Sequence, residues 1–386
     1  MPPAALHDRP GLSRWARHDV GLYLAAAGAS VVGALLVWSA TAGTNGTAYL
    51  VRHLLTAAVG LALALVISRS GEARIRLTAP WVYAVSVLGL VAVLTPLGVT
   101  VNGSRSWIPL LGGFTIQPAE IAKVGLCLAL AALLAGRGDR GHPPGHREVI
   151  LAGVLVALPA GLVLLQPDLG STAVILALGF VVVTVSGAPR PWVLGTLALA
   201  ATAVALALTT SLLSAYQRDR LTAFADPSAD PQGLGYQTRQ VRLAIGSGGW
   251  WGQGFMEGER TQGGLIPYQL NDFIFSVAGE ELGFVGSVGL LLLLGFVVAR
   301  VLLVAARAPG TFGRLVAVGV ATWLAVQVVQ NVGMNLGLLP VTGLPLPFIS
   351  YGGSSMLVSW AAVGLVDAAQ TSRLAGRDDV PRRVPM

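Results

Sequence analysis

About ten stretches of bilayer-spanning length, each nearly free of charge, leave this chain little choice of solvent, because most of its surface has to meet lipid. They run from Asp19 to Ala40 and near 49–67, 77–97, 118–135, 148–165, 171–187, 192–213, 273–299, 315–337 and 354–371. Roughly 20 apolar helical residues cross a hydrocarbon core. A helix also satisfies its own backbone polar groups, which hydrocarbon demands. The expectation is an all-α polytopic membrane protein of about ten transmembrane helices. Composition agrees, since 54% of the 386 residues are hydrophobic and only 11% are charged, which excludes an ordinary soluble domain.

The first run competes with a signal-peptide reading, in which Ser39-Ala40-Thr41-Ala42 is the cleavage site. At about 20 residues it exceeds the roughly 7–15 of a signal peptide's apolar region, so an uncleaved first helix is expected. An even number of spans puts both termini on one side. If that side is cytoplasmic, its segments hold 17 of the 25 basic residues, among them Arg69, Arg74, Arg76, Arg137, Arg190, Arg307 and Arg314. The chain then reads as one transmembrane domain over 1–386. It has cytoplasmic tails at 1–18 and 372–386 and one large outer loop at 214–271, between spans seven and eight. Cys127 stands alone, so no intramolecular disulfide or Cys-based zinc site is available. The histidines His7, His18, His53, His142 and His146 lack the spacing of a metal-binding helix. The net charge of +7 follows membrane topology, and no nucleic-acid partner is expected.

Eight basic residues depart from the inner bias: Arg52, Arg105, Lys123 and the loop arginines Arg218, Arg220, Arg239, Arg242 and Arg260. A loop this long is usually functional, and its cations suit anions. It carries turn clusters at Asp226-Pro227-Ser228-Ala229-Asp230-Pro231 and Gly246-Ser247-Gly248-Gly249, with a short amphipathic helix expected over Gln237–Ala244, lying on the membrane. Trp250 and Trp251 suit the interfacial belt. Where the loop meets the eighth span stands Asp272, which could cap that helix or do chemistry.

Other polar signals sit at span ends. Asn102-Gly103-Ser104-Arg105-Ser106-Trp107 reads as an outer turn with a cation and an interfacial aromatic. Gln117-Pro118-Ala119-Glu120 opens the fourth span with proline in its first turn, and Glu120 and Lys123 share a helix face and can pair. Gln166-Pro167-Asp168-Leu169-Gly170 is a tight outer turn in which Asp168 either caps the sixth helix or faces substrate. From Leu339 to Ser354, Pro340, Pro345 and Pro347 with Gly343, Gly352 and Gly353 forbid a regular helix at membrane depth. Such backbone has to line a protein cavity. The hydroxyls of Thr342, Ser350, Tyr351 and Ser354 could bind polar head groups there.

Taken together, these motifs, with Asp272-Phe273-Ile274-Phe275 and Gly279-Glu280-Glu281-Leu282-Gly283, resemble the SEDS family (shape, elongation, division and sporulation), whose members include RodA and FtsW. The resemblance runs in order along essentially the whole chain. It implies a multi-pass protein of the bacterial plasma membrane with both termini cytoplasmic. The implied activity is that of an inverting glycosyltransferase polymerising lipid II into peptidoglycan, paired with a class B penicillin-binding protein transpeptidase. The reaction is implied to be either metal-independent or assisted by Mg²⁺ or Mn²⁺. Asp272 matches the family's proposed catalytic residue. Departures are Leu270-Asn271 where the family has a His-Thr pair, Tyr268 for an acidic residue, and Ser106 for an arginine. Thr342 before Gly343 and the short tails lie nearer the RodA branch, of cell-wall elongation, than FtsW.

Inversion in one displacement needs one base and no covalent nucleophile. Asp272 is therefore the candidate base. Arg52, Arg105, Lys123, Arg218, Arg220, Arg239 and Arg242 are candidates for the departing diphosphate, with Glu120, Asp168, Ser350 and Tyr351 as further substrate-binding candidates. Glu280, roughly 12 Å along the helix from Asp272, reads with Glu281, Pro340, Pro347, Gly352 and Gly353 as structural. The alternatives are a lipid II flippase, an FtsW-like division paralogue, or a non-catalytic scaffold for a transpeptidase.

Overall fold

The computed structural model describes residues 18–101, 104–109, 114–209, 215–226 and 233–378. Asn102 and Gly103, the turn cluster beyond Asp226, and the tail arginines Arg9, Arg14, Arg17, Arg382 and Arg383 lie outside the described residues. A helix stands at each of the ten expected spans: α1 (Val20–Ala40), α2 (Gly46–Arg69), α3 (Glu72–Leu94), α4 (Pro118–Gly138), α5 (His146–Leu164), α6 (Leu169–Val185), α7 (Arg190–Thr209), α11 (Ile274–Arg307), α12 (Thr311–Leu336) and α13 (Gly353–Asp378). Among the described residues, seven of these are long and apolar enough to cross a membrane: α1 to α5, α11 and α12. Helix α6 is a shorter apolar helix. The segment before α4 adds a small antiparallel sheet, β1 (Val99–Val101), β2 (Ser104–Pro109) and β3 (Thr115–Ile116) in that order, where the sequence suggested only a turn.

Local chemistry places the helix ends. Asp19 accepts from the Leu22 amide at 3.0 Å to start α1, and Pro118 opens α4 where its missing N–H costs nothing. Gly337, at φ +70°, ends α12 in a left-handed cap whose amide bonds back to Met334 at 3.1 Å. Helices α4 and α12 form the buried centre, while Leu77, Trp81, Val85 and Leu88 turn an exposed apolar face of α3 outward. Lipid offers apolar side chains as good a solvent as a protein does, so close backbone approach has to hold helices together. Helices α2 and α13 meet this way: Gly60 lies under the Trp360 ring, and Gly364 against the Ala64 backbone, where a Cβ would come within 2.5 Å of its carbonyl oxygen. At the end away from the long loop, Arg300 donates to Asp19 Oδ1 at 2.7 Å, and Asp367 accepts from the Asp19 amide at 3.0 Å. That tie joins α1, α11 and α13.

The long loop folds into α8 (Ala215–Ala225), α9 (Leu234–Ser247) and α10 (Glu259–Gln262). Helix α9 is longer than its sequence signal, and its buried stripe of Thr238, Val241 and Ala244 faces protein. Val241 and Ala244 pack with Ile266, Phe273, Met334 and Val341. Trp250 and Trp251 stay exposed, Trp250 edge-on to Phe284 at 5.1 Å between ring centroids.

Helix α11 breaks at Gly283, where φ is +67° and ψ −164°. The break removes the bonds that Phe284 and Val285 would donate to Glu280 and Glu281, four groups that hydrocarbon would leave unpaired. The loop supplies all four partners. Gln253 and Gly254 donate to the Glu280 and Glu281 carbonyls at 2.9 and 3.2 Å, while Phe284 and Val285 donate to Gly249 and Trp250 at 2.9 and 3.1 Å. Side chains reinforce the seam. Glu280 accepts from the Arg260 and Thr261 amides and the Thr261 hydroxyl at 2.9, 2.9 and 2.6 Å, and Glu281 accepts from Ser39 at 2.5 Å. A Cβ on Gly283 would sit 2.2 Å from the Gly252 amide nitrogen. Gly283→Ala is expected to cost about 3 kcal/mol or more, from backbone strain and the steric clash. Thermal unfolding in detergent checks it against Gly289→Ala, whose new methyl meets nothing within 4 Å.

Candidate functional site

The half-helix above the break, Ile274 to Leu282, is almost wholly buried and presents Asp272 just ahead of its first turn. Phe273, not Asp272, takes the N-cap position of α11, with no side-chain cap bond. Its half-buried carboxylate lines a cavity of about 180 Å³ shared with Asp168, Arg220, Gln117, Thr342 and Gly343. Ser104, Ser106, Trp107, Pro167, Tyr268 and Asn271 complete the wall.

Each of these groups is delivered by a different element. Asp168 caps α6, accepting from the Ser171 amide at 2.9 Å, and its other oxygen accepts from Gln117 Nε2 at 3.4 Å. Arg220 comes from α8, and Thr342 and Gly343 come from the loop after α12. A Cβ built on Gly343, whose φ is +74°, would stand 3.6 Å from Asp272 Oδ2 and 3.7 Å from Arg220 Nη2, so carboxylate and guanidinium converge on that glycine. Burial pushes the Asp272 carboxyl up to about 6; the Arg220 charge pulls against that rise and the Asp168 charge adds to it.

A neighbouring cavity of about 110 Å³ shares Trp107 and Asn271 with the first and is lined by Arg52, His53, Tyr351, Gly352 and Gly353. The remaining candidates stand elsewhere. Arg105 donates to the Gly98 carbonyl at 3.0 Å. Lys123 is buried against Glu120 at 2.7 Å and Gln327 at 3.0 Å, under the Trp323 ring. Arg218 and Arg239 are exposed on α8 and α9. Arg242 donates to the Gly337 carbonyl at 3.2 Å, and Arg260 to Gln240 at 2.5 Å. Ser350 and Tyr351 hold main chain: the Ser350 hydroxyl donates to Asn271 O at 2.5 Å and the Tyr351 amide to Leu270 O at 2.9 Å. Pro340 is half-buried and Pro347 buried.

Several contributors escaped the sequence reading. Gln117 was seen only as a helix start, and His53 as one of five scattered histidines. Gln327, Asn331 and Asn335 did leave a signal, amides four residues apart that, with Gln330, interrupt a largely apolar span. Among the described residues no three of His, Cys, Asp and Glu gather into a metal cluster. Two carboxylates amid hydroxyl and amide oxygens nevertheless fit a magnesium-type ion, which takes few protein ligands and fills the rest with water or phosphate.

A multi-span helical protein with two carboxylates and a guanidinium lining one cavity at its loop end is the class that the geometry defines. The FtsW, RodA and SpoVE cell cycle protein family matches residues 20–374, and the chain belongs to that family. It is 37% identical over 344 residues to the peptidoglycan glycosyltransferase MrdB of Escherichia coli strain K12, covering 89% of this chain and 90% of that one. To the probable peptidoglycan glycosyltransferase FtsW of a Thioalkalivibrio species it is 39% identical over 379 residues, covering 94% and 92%. A solved chain from work on the structural coordination of polymerization and crosslinking by a peptidoglycan synthase complex superposes with a TM-score of 0.77. That chain is 37% identical, with 92% of this chain and 98% of that one covered.

A carbon-13 titration of the Asp272 carboxyl is expected to show its midpoint near pH 6. A positive neighbour favours the charged form, so Arg220→Gln moves the midpoint to higher pH and Asp168→Asn to lower pH. Midpoints unmoved in both variants would mean that the three groups do not share one field.

Proposed function

We propose that this chain is a peptidoglycan glycosyltransferase that polymerises lipid II into glycan strands, with Asp272 as general base. The observation that carries the reading is the cavity joining Asp272 to Arg220 and Asp168 at the rim of the helical bundle. The 37–39% identities to relatives named as peptidoglycan glycosyltransferases support the substrate class.

The chemistry is one inverting displacement. The acceptor's 4-hydroxyl oxygen attacks the donor's anomeric carbon, the bond from that carbon to the diphosphate oxygen breaks, and the hydroxyl proton passes to Asp272. A carboxylate lifted to about 6 is ionised at pH 7 yet more basic than an exposed aspartate, which suits proton abstraction. Arg220 faces the same cavity and offsets charge building on the departing diphosphate, and Arg52 in the adjoining cavity extends the cationic wall. A magnesium-type ion, when bound, would supply further positive charge to that diphosphate, and Asp168 is the residue that would hold it.

The partner that fits is a class B penicillin-binding protein transpeptidase, a reading supported by the likeness to a chain from a peptidoglycan synthase complex. The arginine bias supports a plasma-membrane protein with both termini cytoplasmic and the Asp272 cavity outside. Thr342 before Gly343, as in the RodA branch, supports elongation over division.

Polymerisation of labelled lipid II by the purified protein with its transpeptidase is expected to fall about 10²- to 10⁴-fold in Asp272→Ala. The wild-type rate is expected to rise with pH through a midpoint near 6, because the base works deprotonated. Full polymerisation by Asp272→Ala defeats the assignment of the base. Transport of labelled lipid across liposomes with no polymerisation and no need for Asp272 replaces the reading with the flippase, and intact partner binding without polymerisation replaces it with the scaffold.

A further inference from the structure

We propose that Asn331 and Asn335 are positioning residues for this reaction, fixing the main chain of Asp272 so that its carboxylate is held in the cavity; the inference rests on the assignment of Asp272 as base. Both side chains are buried on one face of α12, four residues apart. An amide in an apolar helix is costly unless its donors are used. Asn331 Nδ2 places one hydrogen on the Asp272 carbonyl at 2.9 Å and the other on the Leu344 carbonyl at 2.7 Å. Asn335 Nδ2 donates to the same Asp272 carbonyl at 3.1 Å and to the Asn331 carbonyl at 2.9 Å.

The convergence is unusual because a helix amide has nearer acceptors within its own turn. It also completes a series. The carbonyl of Leu270 is held by the Tyr351 amide, that of Asn271 by the Ser350 hydroxyl, and that of Asp272 by the two asparagines. Three consecutive peptide planes are thereby fixed, and Asp272 keeps only its side-chain torsions. Asn331 also grips Leu344 beside Gly343, the residue on which Asp272 Oδ2 and Arg220 converge. One amide thus sets both the base and the wall that it faces. A base displaced by about 1 Å loses on the order of 100-fold in rate while substrate still binds. That separates positioning from mere support.

The test measures kcat and KM for lipid II polymerisation by the full-length protein with its transpeptidase, alongside thermal unfolding. Asn331→Ala is expected to lower kcat about 100-fold with KM within about twofold, and Asn335→Ala about 10-fold in the same sense. Placed in Asp272→Ala, Asn331→Ala is expected to change the residual rate less than twofold, because a lost base has no position to lose. Wild-type kcat in Asn331→Ala, a loss carried by KM alone, or an equal loss with and without Asp272 overturns the inference. If Asn331→Ala does not fold, Asn335→Ala decides by the same criteria. An active Asp272→Ala brings down the base assignment instead, whereas an inactive one beside normal asparagine variants brings down this inference alone.

Discussion

Hydrocarbon cannot hydrogen-bond to a peptide group, and the arrangement at Gly283 is the consequence of obeying that rule while breaking a helix. Two helical bonds are given up, and the loop stretch from Gly249 to Gly254 pairs with all four groups released. The break turns one long helix into a membrane segment and a buried half-helix, and the half-helix is what sets Asp272 at the bundle's rim. It also explains why the long loop cannot be a loose connector. Its glycines exist for contact: a Cβ on Gly248 or Gly252 would fall about 2 Å from the Gly279 or Glu281 carbonyl oxygens.

With its backbone fixed, Asp272 feels opposing influences. Burial disfavours the carboxylate, Arg220 favours it, and Asp168 disfavours it again. Of the three, the Asp168 contribution is the smallest. Without Arg220 the carboxyl would be pushed further up, and fully exposed it would be a weaker base. The cavity holds it between those limits, in reach of a hydroxyl and beside a cation.

What the sequence made legible were features set by local pattern. Apolar length marked the spans, Pro118 marked the start of α4, and the prolines of the segment after α12 ruled out a helix there. The small sheet before α4 was not legible, because β1 and β3 are two or three residues long and carry no usable alternation. Arg220 could not be told from Arg218 two residues earlier, since which one meets Asp272 depends on how α8 sits. Asn331 and Asn335 were visible as amides in an apolar span, but their acceptor lies some sixty residues away in the chain. The meaning of Gly283 depended likewise on partners supplied by a loop some thirty residues earlier.

The pair Glu120 and Lys123 shows where a sound rule about membrane charges leads on to a different role. Ionisable groups inside a bilayer are costly and pair with one another. Here the ammonium is matched by a carboxylate at 2.7 Å. Its remaining bond goes to Gln327 Oε1, which also accepts from the Trp323 indole at 2.6 Å. That orients the Gln327 amide to donate to the Pro345 carbonyl at 2.8 Å. Removing one member of such a pair strands a buried charge, at a cost of about 3–5 kcal/mol. The stranded charge would sit beside Gln327, which holds the Pro345 carbonyl. The charges at the centre of the bundle are thus tied through Gln327 to the segment after α12, two residues beyond the Gly343 that lines the Asp272 cavity.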